Sequence, residues 1–467
     1  MQARRMQVWA IAAGMLALAA CSKSNNNNNN GGGGNGGGGN TNTGDSTLPA
    51  SISANRTLLS GKTYIMDSDL VVQKGATLYI QSGVTLHVNE VTGLNAKHNL
   101  IVKGSFVSLG TQAAPVWITT GTKHTDNTFS SVTSSLTTDS AFMGLWCGIN
   151  CDTTCALFIM KWTHLEFCGG NLTGTPVNGV TASTASWAIL YQNINGIFDL
   201  EDSWIYGSTD DAVRITYGKI NCMRNTFEKC GSNTGEAFNV KSGTRGDIAY
   251  NVVVGAATNA FKISDAGTTG TQCNVNCYNN TIVDCGYRQS STSGHGGSIN
   301  LEKGAQARIF NNLIVNCKIG LRIVSTADLV NATYGNTEFY GDSTNVCDNF
   351  YSVGDKTQPE TSDIPDYTTY LPGGYVLGAA YDGSSLDGKN SPNFKNFTLP
   401  CAAPVATNWA NTFDFHLNSG SPAIGKGTTA FAAQALVPQD ATTGASEIDA
   451  PGADIGAYQS SGNGNKH

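Results

Sequence analysis

Acidic, small and basic residues recur in a fixed order in five short runs between Asp210 and Val324. The runs are Ala212-Val213-Arg214-Ile215, Ala237-Phe238-Asn239-Val240, Ala260-Phe261-Lys262-Ile263, Ser298-Ile299-Asn300-Leu301 and Gly320-Leu321-Arg322-Ile323. Stacked, their first positions make a small outward column (Ala212, Ala237, Ala260, Ser298, Gly320). The third positions make a polar column (Arg214, Asn239, Lys262, Asn300, Arg322), and Thr216, Lys241, Ser264, Glu302 and Val324 follow in the next. Asp210, Asp211, Glu236, Asn259 and His295 precede the small column. One face would then hold acids on one side and bases on the other. Such a shallow groove suits an extended polymer. A polyanionic one would pair with Arg214, Lys241, Lys262 and Arg322, with Asn239 and Asn300 as hydrogen-bonding positions between them. Asp211 and Glu236 are candidates for a close carboxylate pair, which would raise one of their pKa values. The plainer alternative is a solvated face whose ion pairs contribute little.

These columns exist only if the runs lie one above another, and the chain carries a repeat that would put them there. Each row has a two-residue corner: Asp202-Ser203, Arg224-Asn225, Tyr250-Asn251, Asn279-Asn280 and Asn311-Asn312. A large apolar residue follows two positions on: Ile205, Phe227, Val253, Ile282 and Ile314. Successive corners are 22, 26, 29 and 32 residues apart, as for a core of fixed size with one growing loop. Short runs of period 2 are strands, and a repeat of this length without amphipathic helices is a solenoid. Rows too short for helical crossovers must stack in parallel. The expectation is an all-β chain, a right-handed parallel β-helix with a capping C-terminal segment. Asn at the corner fits the left-handed conformation and a bond to its own backbone, and stacked Asn residues form an amide ladder.

Gly235-Glu236-Ala237-Phe238-Asn239-Val240-Lys241-Ser242 with Tyr250-Asn251 resembles the chondroitinase B and alginate lyase family of β-helix polysaccharide lyases. The resemblance implies that Glu236 holds Ca2+ and that Lys241, five residues on, is the base of a β-elimination. A cation neutralises the uronate carboxylate, the adjacent C–H becomes acidic, and a lysine of lowered pKa takes the proton. Lys262 stands where that family places an arginine. The second metal acid position is Thr234, for which Asp210 or Asp211 on the preceding coil would substitute. Asp210-Asp211-Ala212-Val213 and Gly294-His295-Gly296 resemble, more distantly, the paired Asp and Gly-His-Gly of polygalacturonases. There Asp211 would serve as a hydrolytic carboxylate. Three coils separate His295 from Asp211, roughly 14 Å at the usual strand spacing.

The chain has 467 residues, 55 of them Gly, and only 13% are charged; with a net charge of −7 and no basic run, a nucleic-acid partner is not expected. Arg4 and Arg5 precede an apolar run ending Leu18-Ala19-Ala20-Cys21, too short to span a bilayer and shaped as a signal peptide. Its end resembles a bacterial lipoprotein box, which implies lipidation of Cys21. The alternative is a soluble secreted protein with a chance cysteine. The Asn/Gly-rich stretch that follows reads as a tether resembling those of surface lipoproteins. The expected location is the bacterial outer membrane, at the cell surface or on its periplasmic face, with membrane contact through the lipid anchor only. The domain reading is 1–21 signal peptide with lipobox, 22–47 tether, 48–354 parallel β-helix, 355–412 irregular loop or cover and 413–467 C-terminal cap. In the cap, Ser421-Pro422-Ala423-Ile424-Gly425 and Asp454-Ile455-Gly456-Ala457-Tyr458 resemble the closing motifs of secreted β-helix proteins, and hide the open end. Cys168, Cys230, Cys285 and Cys317 form one column and Cys222 with Cys277 another. Cys285 and Cys317 either form a disulfide or pack as free thiols. Cys147, Cys151 and Cys155 read as loop residues whose spacing differs from that of zinc sites.

Overall fold

The computed structural model describes residues 46–91, 97–121, 123, 138–172, 186–265, 270–289, 297–324, 326–341, 391–397, 413–439 and 446–467. The lipobox with Cys21, the tether, His295 and almost all of 355–412 lie outside these residues. Three parallel sheets of 11, 10 and 10 strands run side by side, each strand pairing with the one three later in the chain. The molecule is a right-handed parallel β-helix, whose three sheets are numbered I, II and III in the order the chain visits them on each coil. The remaining sheet is small and antiparallel, Phe394–Asn396 with Asp414–Leu417.

The interior is filled by inward residues in vertical files. Phe106, Phe158 and Phe198 stack with centroid separations of 5.2 and 4.8 Å and are fully buried. Aromatic burial of this kind dominates core energetics. At the corner between sheets III and I the expected ladder is present. The Oδ1 atoms of Asn225, Asn251, Asn280 and Asn312 accept the backbone N–H groups of Ser203, Asn225, Asn251 and Asn280 at 2.9 to 3.1 Å. Each of Asn225, Asn251 and Asn280 also donates its amide to the next Oδ1, at 2.9 to 3.0 Å. Ser108, Thr163 and Ser203 continue the file toward the start of the stack.

Two details differ from the sequence reading. The left-handed residue is the one before the ladder position: Trp162, Asp202, Arg224, Tyr250, Asn279 and Asn311 have φ between 45° and 59°. The ladder Asn therefore bonds the neighbouring coil's backbone and not its own. Each left-handed non-glycine costs about 1 kcal/mol; the corner tolerates it because its amide and carbonyl groups are satisfied from adjacent coils. The second detail concerns the small column. Ala212, Ala237, Ala260 and Ser298 are fully buried, because they sit in the bend just before each strand of sheet II, where alternation has not begun.

The ten described cysteines are free, buried thiols; Cys285 and Cys317 donate to the carbonyls of Val283 and Val315 two residues upstream. Cys222 and Cys277 share a column but are separated by Ile248. Cys151 lies on the strand Gly148–Cys151 and is a core residue, whereas Cys147 and Cys155 lie outside the strands, as expected, and are nevertheless buried.

The C-terminal segment covers the flank of the stack along the ladder corner. Phe415, Ala423, Ile455, Ala457 and Tyr458 pack on outward residues of sheet I, among them Trp204, Val252, Val283 and Leu313. Phe431, Ala433 and Ile448 pack on Met223, Ala249, Tyr250 and Tyr278 of sheet III. The two motifs expected at the open end are flank contacts: Gly456 N–H bonds the Asn311 carbonyl, and Asn279 Nδ2 bonds the Asp454 carbonyl. Asp454 is structural, as expected, accepting the N–H groups of Gly425 and Ser460.

Glu338, on the last strand of sheet I, is fully buried, and among the described residues neither carboxyl oxygen meets a hydrogen-bond donor. Burial pushes its pKa up from 4.5 to about 8. The folded state therefore keeps its proton while the unfolded chain releases it. Stability attached to this group is present below about pH 4.5 and is lost as pH rises through about 8. Glu338→Gln should remove that slope. Urea denaturation at pH 5 and pH 8.5 should show the wild type losing several kcal/mol more than the variant. Equal slopes would mean that Glu338 is solvated or paired.

Candidate functional site

Among the described residues, the contacts of the C-terminal segment go to sheets I and III and their shared corner, and sheet II faces away from them. Its outward column runs in register as Val71, Ile101, Asn150, Leu190, Arg214, Asn239, Lys262, Asn300 and Arg322. The last five are the polar column expected from the sequence. Short strands position them, Val213–Ile215 and Phe238–Val240 among others. The flanking residues Val213, Ile215, Phe238 and Val240 point into the core and lock the alternation.

Two buried carboxyls form the centre. Asp211 Oδ1 accepts the Glu236 backbone N–H at 2.9 Å, and its Oδ2 accepts Asn239 Nδ2 at 2.9 Å. Asn239 Nδ2 also reaches Glu236 Oε2 at 3.1 Å. Burial would raise the Asp211 pKa, but a hydrogen bond from the Glu236 carboxyl and the charge of Arg214, 3.6 Å away, hold it below the usual value. Burial and the Asp211 charge push Glu236 well up, so Glu236 carries the proton that the two share. The close carboxyl pair expected from the sequence is present. Asp210, beside it, is raised to about 6 by burial and by Asp211.

Cations surround this pair. Lys262 Nζ lies 3.7 Å from Glu236 Oε1 and 3.7 Å from Glu302 Oε1, bridging two coils. Arg214 lies over the Trp187 ring, 4.5 Å from its centroid. Lys241 follows the strand Phe238–Val240 and is half-buried. Burial, then Lys262 and Arg214, bring its pKa down from 10.5 to about 8. An amine with a pKa near 8 is a competent base in mildly alkaline water, whereas an ordinary lysine is not.

The structure brings Asp210, Asp211, Arg214, Glu236, Asn239, Lys241 and Lys262 into one cluster. It separates them from the positions expected to touch a ligand farther along. Asn300 and Arg322 are in register but buried, Arg322 donating to Asn300 Oδ1 at 2.6 Å and Asn300 to Glu302 Oε2 at 3.0 Å. Asn239 is likewise buried. These three expected contact residues brace the floor, because their polar ends are turned to neighbours in the same sheet. Of the three cations in the outward column, Arg214, with 29% of its side chain exposed, and Lys262, with 16%, reach the surface. Sequence reasoning missed Trp187, which orients Arg214, and the bridging role of Glu302. Trp187 comes from the edge of an insertion outside the repeat, where no register could place it.

The Ca2+ implied at Glu236 and Asp210 does not fit these residues. An ammonium already stands 3.7 Å from Glu236 Oε1. Among the described residues, no group of three or more His, Cys, Asp or Glu side chains is placed to hold a metal ion. Compared with known proteins, the chain matches no family model, no curated protein and no solved structure. What the fold and site define is a class: a parallel β-helix with one sheet bearing a buried acid pair ringed by lysine and arginine.

Proposed function

We propose that this protein binds an extended uronate-containing polysaccharide along sheet II and cleaves it by β-elimination at Lys241. The observation that carries this reading is the convergence of Arg214, Lys241 and Lys262 over the Asp211–Glu236 pair on sheet II. Arg214 and Lys262 take the uronate carboxylate and so acidify the C5 proton, the task that a metal performs in the lyases this segment resembles. Neutral Lys241 removes that proton. The electron pair of the broken C5–H bond forms the C4–C5 double bond as the C4–O4 bond breaks. The Lys241 ammonium then returns its proton to the departing oxygen. The buried pair has a positioning part: ionised Asp211 holds Arg214, while Glu236, which carries the proton, stands 3.7 Å from Lys262 Nζ. Lipidation at Cys21 would tether this site to the bacterial outer membrane by way of the Asn/Gly stretch.

One observation favours a non-catalytic, glycan-binding surface protein instead. Lys262 lies 3.7 Å from Glu302 Oε1, an acid that offsets the charge it would offer a substrate. The two readings separate on a panel of alginate, pectate and chondroitin polymers incubated with the protein in a metal chelator. Elimination produces unsaturated uronides that absorb in the ultraviolet. Retention of a polymer with no such product supports the binder, and neither product nor retention removes both readings.

A further inference from the structure

The outer face of sheet III is covered by the C-terminal segment in the middle of the stack, where the Ser446 N–H bonds Asp199 and Lys161 meets Glu447. Nearer the start of the stack the same face holds a cavity of about 500 Å3 lined by Thr57, Ser60, Tyr79, Gln81, Val107 and Leu109 among others. Thr57, Tyr79 and Val107 are lateral neighbours on successive coils, so three rungs build one wall. Val107 is an outward strand residue yet only 1% exposed, and Leu109 beside it is half-buried. The Tyr79 ring is 36% exposed at the rim. Gln81 Oε1 accepts the Ser60 backbone N–H at 3.0 Å, which leaves its amide N–H groups as donors. Among the described residues, none that lines the cavity is charged.

A pyranose ring has an apolar C–H face and a rim of hydroxyls. An aromatic ring with aliphatic neighbours receives the face, and side-chain hydroxyls and an amide receive the rim. A carboxylate entering here would lose hydration without meeting a cation. The geometry points to a binding site for a neutral sugar unit in the Tyr79 cavity, on a different sheet from the Lys241 cluster. It is a second carbohydrate contact that does not depend on the uronate reading.

The test uses the full chain and unbranched neutral tetrasaccharides of glucose, mannose and xylose, titrated by calorimetry and by saturation-transfer NMR. At least one should bind. Tyr79→Ala should weaken that binding about tenfold or more, and Gln81→Ala should weaken it less. Lys241→Ala should leave neutral-sugar binding unchanged, whatever it does to uronates. Tyr79→Phe keeps the ring and should retain most of the affinity; it also covers the case in which the alanine variant folds poorly, which its melting temperature reports. The proposal is overturned if no neutral sugar binds at millimolar concentration, or if a sugar that does bind is indifferent to both Tyr79→Ala and Gln81→Ala.

Discussion

Lys241→Ala should lower uronide release by about 100-fold or more, the usual contribution of a positioned general base, while leaving the melting temperature nearly unchanged. The side chain is half-buried at a strand end and its backbone N–H bonds the Ile215 carbonyl, which alanine preserves. The pH profile carries more information than the loss itself. Lys241 acts as a base only when neutral, and its pKa is depressed to about 8, so the rate should rise with pH and level off above about 8. Lys262 is the largest charged contributor to that depression. Lys262→Met should therefore move the rise to higher pH as well as weaken uronate binding. Lys241→Arg should not rescue, because a guanidinium keeps its proton in this range. A profile that is flat between pH 7 and 9, or an active Lys241→Ala protein, would remove Lys241 from the chemistry.

Asn251→Leu should destabilise the protein by about 3–5 kcal/mol, one of the larger effects available to a single substitution in this chain. Asn251 accepts from the backbone and side chain of Asn225 and donates to Asn280 Oδ1 and to the Cys222 carbonyl. Its own backbone N–H is satisfied by Asn280. Leucine fills a similar volume but strands the Asn225 backbone N–H and removes the Asn251 amide from the Cys222 carbonyl in a fully buried corner, while Asn225 Nδ2 keeps its bond to the Leu200 carbonyl. The cost is the desolvation of those stranded groups as well as the lost bonds. Tyr250, just before it, sits in the left-handed region with φ of 58°, and that strain persists in the variant. Asn233→Ala, at an exposed bend, is the control and should shift stability by no more than about 0.5 kcal/mol. Denaturation midpoints decide the matter. A loss under about 1 kcal/mol would mean that the ladder can be broken at one rung without consequence.

The clustering of Asp211, Arg214, Glu236 and Lys262 was legible because solenoid register turns sequence spacing into vertical distance. A run such as Ala260-Phe261-Lys262-Ile263 declares its inward residues by size and its outward residue by charge. The same logic placed Asn225, Asn251, Asn280 and Asn312 in one file. It failed where the outcome depended on contacts outside the coil. Arg322 and Lys262 occupy equivalent positions in one column, yet one is buried against Asn300 and the other partly open. Similarly, Ala237 alternates correctly by count, but the bend before its strand turns it inside.

From the order of its residues alone, this chain determines a stack of coils, the asparagine file at one corner and the composition of each outward column. All three follow from interactions between a residue and its near equivalents one repeat away. Tertiary structure decided the rest. It set the Glu236 carboxyl against Asp211, where burial and the Asp211 charge raise its pKa, and among the described residues it laid the C-terminal segment along sheets I and III. Protonation and exposure depend on which groups arrive from distant parts of the chain and displace water, and the repeat carries no record of those arrivals.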